Sequence, residues 1–215
     1  VNHNLNPRLF SEQLIYIINH ANDKILIIDL DLVPIIEKII VDCPKVEKLV
    51  ILCSEADLPS TKFSAMVSYE ELLSMGSANF EWITGDETDA CGICYTSGTT
   101  GNPKGVVYTH RSNTLHALTQ AAPDMLNLSS TDTIMPVVPL FHANGWSIAY
   151  TAPLVGSSIV FPGGDLSPSS LYDMLERGVT ITAAVPTVWL LLLNFLESEK
   201  KELSSLKRVV IGGSS

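Results

Sequence analysis

Hydrophobic and polar residues repeat along this chain with two periods, one helical and one typical of strands. Leu14, Ile17 and Ile18 recur at helical spacing and predict a helix from Ser11 to about Ala21. The same criterion predicts further helices at residues 32–41, 69–74, 110–125, 142–154, 168–178 and 187–200. Short apolar runs predict buried strands at residues 24–29, 48–53, 90–95, 106–108, 133–140, 157–161, 179–185 and 208–211.

The alternation of strands with helices favours an α/β fold, in which parallel sheets are flanked by helices. Parallel strands need a crossover connection, and that connection is usually a helix. The stretch at 54–89 is polar and irregular, and it predicts a connection between two such regions. We therefore expect a first α/β portion at 1–53, a connecting region at 54–89 and a second α/β portion at 90–215.

Composition places this 215-residue chain among globular proteins with a large core, because 46% of its residues are hydrophobic and only 17% are charged. The net charge of −10 argues against the basic face that nucleic-acid binding requires. We therefore expect no nucleic-acid partner. An anionic ligand would have to be held by a local group of hydrogen-bond donors and cations. The sequence leaves open whether the protein forms a homo-oligomer.

The longest uncharged stretch, residues 133–164, contains no Asp, Glu, Lys or Arg and is long enough to span a bilayer. Four prolines interrupt it, and His142 and Asn144 lie near its centre. Buried parallel strands with a core helix account for this stretch better than a membrane span. We expect no transmembrane segment, and peripheral membrane contact is left open.

The four cysteines of the chain indicate the redox state of its cellular compartment. Two of them, Cys91 and Cys94, form a C-x-x-C pair. Such a pair is typical of a redox centre or of half a zinc site. Positions three apart in a strand face opposite sides, however, and Cys43 and Cys53 are not spaced as a second zinc knuckle. Core cysteines in a reducing compartment are favoured, and we expect a cytoplasmic protein.

The segment from Tyr95 to Gly105, with the sequence YTSGTTGNPKG, is the strongest chemical signal in the chain. Its glycines let backbone N–H groups approach phosphate oxygens, its hydroxyls add donors, and Lys104 adds a positive charge. A Walker A loop would have Gly where Pro103 stands and Ser or Thr where Gly105 stands. The segment therefore predicts a phosphate-binding loop of another kind.

This loop resembles the phosphate-loop signature of the adenylate-forming superfamily, which includes acyl-CoA synthetases, firefly luciferase and the adenylation domains of peptide synthetases. Val138–Trp146, with the sequence VPLFHANGW, resembles a second core motif of that superfamily, and Gly212-Gly213-Ser214 resembles its adenine-side turn. The segment Val1–Leu9 resembles the entry to an early Rossmann-like region. The amino-acid sequences of these segments most resemble those of medium- and long-chain fatty acyl-CoA synthetases.

The resemblance implies part of the layered αβαβα N-terminal domain of such enzymes. It implies an ATP-dependent, AMP-forming acyl-CoA synthetase that converts a fatty acid to an acyl adenylate and then to an acyl-CoA thioester. ATP, Mg²⁺ and coenzyme A are the implied cofactor and co-substrates. An aryl or short-chain acid is the alternative substrate, and a non-catalytic nucleotide-binding module is the alternative function.

The resemblance also implies roles for particular residues. His142 would help to place the carboxylate, and Lys104 would act in catalysis and phosphate binding. Trp146 would line both the nucleotide site and a tunnel for the fatty chain, which it would gate. The nucleotide and phosphate set comprises Thr96, Ser97, Gly98, Thr99, Thr100, Gly101, Lys104, Ala143, Trp146 and Gly213. Thr96 would lie beside the Mg²⁺ ion.

Both ends of the chain predict a piece of a longer protein. The N-terminus lacks an initiator Met, and the C-terminus follows a strand into a glycine turn. The superfamily's Tyr-Gly-x-Thr-Glu motif and its C-terminal domain are missing, so we expect these 215 residues alone to be inactive. The Gly-Gly-Ser-Ser end also matches the start of an α/β-hydrolase elbow, which would leave the phosphate loop unexplained.

Overall fold

The computed structural model of the protein describes residues 1–96 and 101–213, which form helices and strands in alternation. The helices are α1 (Ser11–Ala21), α2 (Val33–Ile39), α3 (Tyr69–Ser74), α4 (His110–Ala121), α5 (Ala143–Trp146), α6 (Ile148–Val155), α7 (Pro168–Leu175) and α8 (Pro186–Glu199). The strands are β1 (Asn2–His3), β2 (Ile25–Asp29), β3 (Lys48–Leu52), β4 (Met66–Ser68), β5 (Ala90–Tyr95), β6 (Gly105–Thr109), β7 (Thr133–Pro136), β8 (Ser158–Ile159), β9 (Ile181–Ala184) and β10 (Arg208–Ile211).

The chain divides into two compact units. The first comprises Val1–Asp86 and Gly92–Val107, and the second comprises Glu87–Cys91 and Tyr108–Ser215. Two of the three crossing points fall within β5 and β6, the strands on either side of the predicted phosphate loop, and the third lies between Asp86 and Glu87.

The first unit is built on a parallel sheet with strand order β2-β3-β4. Strand β3 is buried on both faces, and its residues Leu49, Val50 and Ile51 are at most 1% exposed. Strand β2 instead alternates between buried and exposed positions, so the prediction of a fully buried strand was wrong there. Residues 54–89, predicted as a connection, contribute β4 to this sheet and carry α3.

The second unit is built on a parallel sheet with strand order β10-β9-β7-β8. Successive residues of β7 serve opposite faces of the sheet: Ile134 packs in a core with Ile148 of α6, and Met135 packs in a core with Leu171 of α7. Helices thus cover both faces of this sheet. The predicted α/β class with parallel sheets flanked by helices is confirmed.

One carboxylate joins three strands of the second unit at their N-terminal ends. Asp132 immediately precedes β7, and it accepts hydrogen bonds from Thr180, just before β9, at 2.8 Å and from the Arg208 guanidinium of β10 at 2.9 Å. The backbone N–H and hydroxyl of Ser129 donate to it at 3.0 Å each. Burial alone would raise the pKa of Asp132, but these hydrogen bonds and the Arg208 charge outweigh burial and lower it.

The uncharged stretch at 133–164 forms β7, the left-handed turn labelled α5, then α6 and β8, and not one continuous apolar helix. In the described parts of the chain, no helix is both long and apolar enough to cross a bilayer. The predicted helix over 142–154 was wrong in its first half, because the backbone is left-handed from Ala143 to Ser147 and a right-handed helix begins only at Ile148. The predicted strand over 133–140 ends at Pro136.

Candidate functional site

The base of the predicted phosphate loop is closed by two hydrogen bonds within the first unit. The Thr96 N–H donates to the Lys104 carbonyl oxygen at 3.0 Å, and the Lys104 N–H donates to the Thr96 hydroxyl oxygen at 3.2 Å. Pro103 is buried, whereas Thr96 and Lys104 are exposed. The two predicted phosphate ligands that flank the loop are therefore held side by side, with Lys104 open to solvent.

The strands at this base approach closely because position 105 is a glycine. A Cβ atom at Gly105 would lie 3.1 Å from Cζ of Tyr95, closer than an ordinary van der Waals contact. The Tyr95 hydroxyl hydrogen bonds Nδ1 of His20 at 2.7 Å, and the Tyr95 ring lies 5.1 Å from the ring of His3. Burial, and next the charge of Asp23, raise the pKa of Tyr95, so it remains the neutral phenol at physiological pH.

The other predicted ligands of the phosphates are only partly described. Gly101 is exposed and has a positive φ of 125°, a conformation suited to glycine. Ser97, Gly98, Thr99 and Thr100 lie outside the described residues. Lys104 is exposed and forms no ion pair with any residue that the structure describes.

The second unit contains a pocket of about 810 Å³ with a mostly apolar surface. Helix α4 contributes His116 and Gln120 to its wall, and β10 contributes Val209–Ile211. Ala143 and Trp146 also line it, from the turn that precedes α6. The volume lies within the range of about 300–1,000 Å³ that is usual for small-molecule sites.

The turn that carries Ala143 and Trp146 has an unusual backbone. Residues 143–147 have consecutive positive φ angles of 47°, 52°, 61°, 55° and 57°, and only the central one, Gly145, is a glycine. A left-handed conformation costs about 1–2 kcal/mol at each residue that carries a Cβ. Strain of this kind persists only where surrounding contacts impose it, and it is concentrated at functional sites.

Two buried polar side chains bind successive carbonyl groups of this turn. The Gln120 side-chain amide donates to the Trp146 carbonyl oxygen at 2.6 Å, and the Thr151 hydroxyl hydrogen bonds the Ser147 carbonyl oxygen at 3.1 Å. The single proton of the Thr151 hydroxyl is shared between the Ser147 carbonyl and Oε1 of Gln120, which is closer at 2.7 Å, so the two side chains are joined. Gln120 is 8% exposed and Thr151 is fully buried. Helices α4 and α6 therefore hold the turn from two sides.

The indole of Trp146 lies against the glycine turn that follows β10. A Cβ atom at Gly212 would lie 3.1 Å from Cη2 of Trp146, and one at Gly213 would lie 3.6 Å from its Cζ2. Gly213 also has a positive φ of 82°. The structure thus brings Trp146 and Gly213 together, two residues that the resemblance assigned to the nucleotide side.

The remaining predicted residue, His142, is exposed and immediately precedes the left-handed turn. Its N–H donates to the Pro139 carbonyl oxygen at 3.1 Å, and its own carbonyl oxygen accepts from Gly145 at 3.0 Å. His142 is not among the described residues that line the pocket. Its assignment to the substrate carboxylate stays a prediction.

Sequence reasoning missed the buried face of α4, from which Asn113 and Gln120 line the pocket. Asn113, Ala117 and Gln120 are the buried residues of this helix, at positions i, i+4 and i+7. That spacing was readable in the sequence, but two of the three residues are polar and the helix was not expected to bury them. His116, to which no role was assigned, also lies on the wall of the pocket.

The chain belongs to the AMP-binding enzyme family, whose model matches residues 1–215. It is 46% identical to the medium-chain-fatty-acid–CoA ligase of Ectopseudomonas oleovorans over 99% of this chain and 39% of that protein. It is 43% identical to the 3-methylmercaptopropionyl-CoA ligase of Ruegeria pomeroyi over 99% of this chain and 40% of that protein. The predicted resemblance to this class of ligases is confirmed.

A comparison of solved structures agrees with the sequence comparisons. A long-chain-fatty-acid-CoA ligase from Archaeoglobus fulgidus matches 98% of this chain with a TM-score of 0.82 and 28% identity. The chain covers 40% of that structure. It thus spans about two fifths of the length of the curated relatives and of the solved structure that it matches.

Proposed function

We propose that the protein is an ATP-dependent, AMP-forming fatty acid–CoA ligase, and that these residues form part of its N-terminal domain. The observation that carries the proposal is the apolar pocket of the second unit, with Trp146 in its wall and against Gly212 and Gly213. A carboxylic acid with an aliphatic chain fits such a pocket, because burial of its methylene groups provides binding energy. Membership of the AMP-binding family supports the use of ATP.

The proposed reaction has two steps. A carboxylate oxygen of the acid attacks the α-phosphorus of ATP, which forms an acyl adenylate and releases pyrophosphate. The thiol of coenzyme A, having lost its proton, then attacks the acyl carbonyl carbon, which forms the thioester and releases AMP. Both steps require stabilisation of negative charge on phosphate oxygens.

Thr96 and Lys104 are proposed to act on those phosphates. The Lys104 ammonium would neutralise the β- and γ-phosphates, together with donors from Ser97 to Gly101. Mg²⁺, when bound, would supply further positive charge to the same oxygens. The Thr96 hydroxyl fits a place beside this ion, because its oxygen accepts one N–H in the structure and retains a second lone pair.

The acid site is proposed to lie at the left-handed turn. His142 would place the carboxylate, and Ala143 and Trp146 would line the nucleotide and acyl side of the site. Trp146 would gate the pocket, and Gly213 would contact the adenine. Two relatives of similar sequence identity are named for different acids: one is a medium-chain-fatty-acid–CoA ligase and the other is a 3-methylmercaptopropionyl-CoA ligase. The length of the acyl chain that this protein accepts is therefore the property to measure.

The test is pyrophosphate release by the full-length protein with acids from acetate to palmitate and with an aryl acid such as coumarate. The proposal expects activity to rise with chain length beyond about six carbons, because each buried methylene contributes about 0.8 kcal/mol. A response to aryl or short acids alone would replace the fatty acid with the alternative substrate. ATP binding without pyrophosphate release from any acid would favour a non-catalytic nucleotide-binding module.

The same assay tests the loop. Lys104→Ala is expected to lower kcat/KM for ATP by about 100-fold, comparable to removal of one stabilising donor elsewhere. Lys38→Ala is the matched control, because Lys38 is an exposed lysine on α2 of the same unit. Equal activity of the two variants would contradict the assignment of Lys104.

Residence in the cytoplasm is proposed as well. The four cysteines, all of them described, are free thiols, which supports a reducing compartment. Fractionation of cells that express the full-length protein, with and without a high-salt wash of the membranes, would test this and would detect peripheral membrane contact.

A further inference from the structure

We propose that Gln120 is a positioning residue for Trp146, and that the Gln120–Thr151 pair thereby sets the selectivity of the pocket for acyl chain length. The inference rests on the proposed function, since it concerns the same pocket. It adds two residues that do not belong to any motif named above. Both act on the backbone of the turn and not on the reacting atoms.

The hydrogen bonds define what Gln120 does. Its amide group donates to the carbonyl oxygen of Trp146 itself at 2.6 Å, and its own oxygen is bound by the Thr151 hydroxyl at 2.7 Å. Both ends of the Gln120 amide are therefore engaged, and its orientation is determined by its partners. An apolar residue at this position would leave a buried carbonyl of the left-handed turn without that donor.

Thr151 extends the same restraint to the next peptide group. Its hydroxyl lies 3.1 Å from the Ser147 carbonyl oxygen, and the Ser147 carbonyl also accepts the Thr151 N–H at 3.0 Å. Trp146 and Ser147 have φ angles of 55° and 57°, so both bound carbonyls belong to residues with left-handed backbone. The pair thus stabilises the two residues at the end of the strained turn.

The position of the indole follows from this backbone. Trp146 contacts the Gly212-Gly213 turn closely on one side and lines the pocket on the other. Gln120 and Ser147 line the same pocket, so an acyl chain that fills it lies beside both the indole and its restraint. If the turn relaxed, the indole would move and the length of the pocket would no longer be defined.

The test compares three variants of the full-length enzyme. Gln120→Met removes the donor and the acceptor of the side-chain amide at similar volume, Thr151→Val removes the hydroxyl, and Thr151→Ser retains it. Thr182→Val is the matched control, because Thr182 is also fully buried and its hydroxyl donates to the Met135 carbonyl oxygen at 2.8 Å, away from the turn. The measured quantity is kcat/KM for octanoate relative to palmitate.

In Gln120→Met and Thr151→Val, the ratio of the two kcat/KM values is expected to move about tenfold closer to one. The reason is that a poorly defined hydrophobic pocket discriminates less between acyl chains of different length. The change should arise mainly in KM for the acid, while Thr151→Ser and Thr182→Val keep the wild-type ratio. An unchanged ratio in both Gln120→Met and Thr151→Val overturns the proposal. So does an equal change in Thr182→Val, which would indicate a general loss of packing.

Hydrogen exchange provides a readout that does not depend on the substrate. The amides of Gly145 and Ser147 are hydrogen bonded within the turn, so a peptide covering residues 140–150 reports its opening. Its exchange should be about tenfold faster in Gln120→Met than in the wild type, with α1 unchanged. Wild-type enzyme inactive on every fatty acid would refute the proposed function and with it the role in chain-length selectivity, whereas unchanged exchange in Gln120→Met would refute the positioning role.

Discussion

The Asp132 carboxylate offers a quantitative test of how the pocket's sheet is held together. It joins the N-terminal ends of β7, β9 and β10, and β10 continues into the pocket wall. Asp132→Asn keeps the shape of the side chain but removes its charge. Its amide nitrogen can face Thr180, because the Thr180 hydroxyl can instead donate to the Thr133 carbonyl oxygen, 3.3 Å away.

The expected magnitude follows from this geometry. The contacts to Ser129 and Thr180 survive as neutral hydrogen bonds, and the Arg208 contact loses its ionic partner. Charge-assisted hydrogen bonds contribute about 1.5–3 kcal/mol and neutral ones about 0.5–1.5 kcal/mol. The Arg208 side chain is 33% exposed, which favours the lower end, so Asp132→Asn should cost about 1 kcal/mol. Asp132→Ala should cost about 3–5 kcal/mol, because buried donors lose their acceptor.

Urea denaturation of the full-length protein measures these costs, and hydrogen exchange in β7, β9 and β10 locates them. The pKa of Asp132 is lower in the folded state than in the unfolded state. The ionised carboxylate therefore contributes fully to the free energy of unfolding at pH values above its unfolded pKa of about 3.9. This contribution is lost as the pH falls through the folded pKa. The difference between wild type and Asp132→Asn should therefore shrink below about pH 4. A difference that persists at low pH, or equal costs for Asn and Ala, would refute the reasoning.

Two further predictions concern glycine contacts and the base of the loop. Gly212→Ala should destabilise the protein by about 1–3 kcal/mol and raise KM for the acid, because its Cβ would crowd the Trp146 indole; a normal melting temperature with normal KM would contradict the contact. Tyr95→Phe should cost about 0.5–1.5 kcal/mol, because it removes the hydrogen bond to His20. Tyr16→Phe is its control, since the Tyr16 ring stacks on His20 and keeps that contact, and equal losses would count against the hydrogen bond.

The sequence predicted the regular parts of the fold well, because periodicity reflects burial. The bounds predicted for α3, β5 and β10 agree with the structure. The left-handed turn could not be predicted, since three of its five residues, Ala143, Trp146 and Ser147, are types that rarely adopt positive φ and only long-range partners impose it.

The candidate site was likewise predictable where its residues are close together in sequence and not where they depend on contacts distant in sequence. Lys104 and Thr96 were found because their motif is contiguous, and the structure places them side by side. Gln120 and Thr151 were missed because their role depends on contacts 26 and 31 residues away along the chain. A single polar residue within a helix is usually solvated, so its pattern gave no reason to place it beside the site.

The contact between Trp146 and Gly212 has a consequence for the evolution of this family. With only 3.1 Å between Cη2 of the indole and the place of a Cβ atom, a larger residue at position 212 requires the side chain at position 146 to move. Sequences that carry Trp at position 146 should keep Gly at 212, whereas sequences with a small residue at 146 should accept larger ones there. The two positions are expected to change together as lineages acquire new substrates.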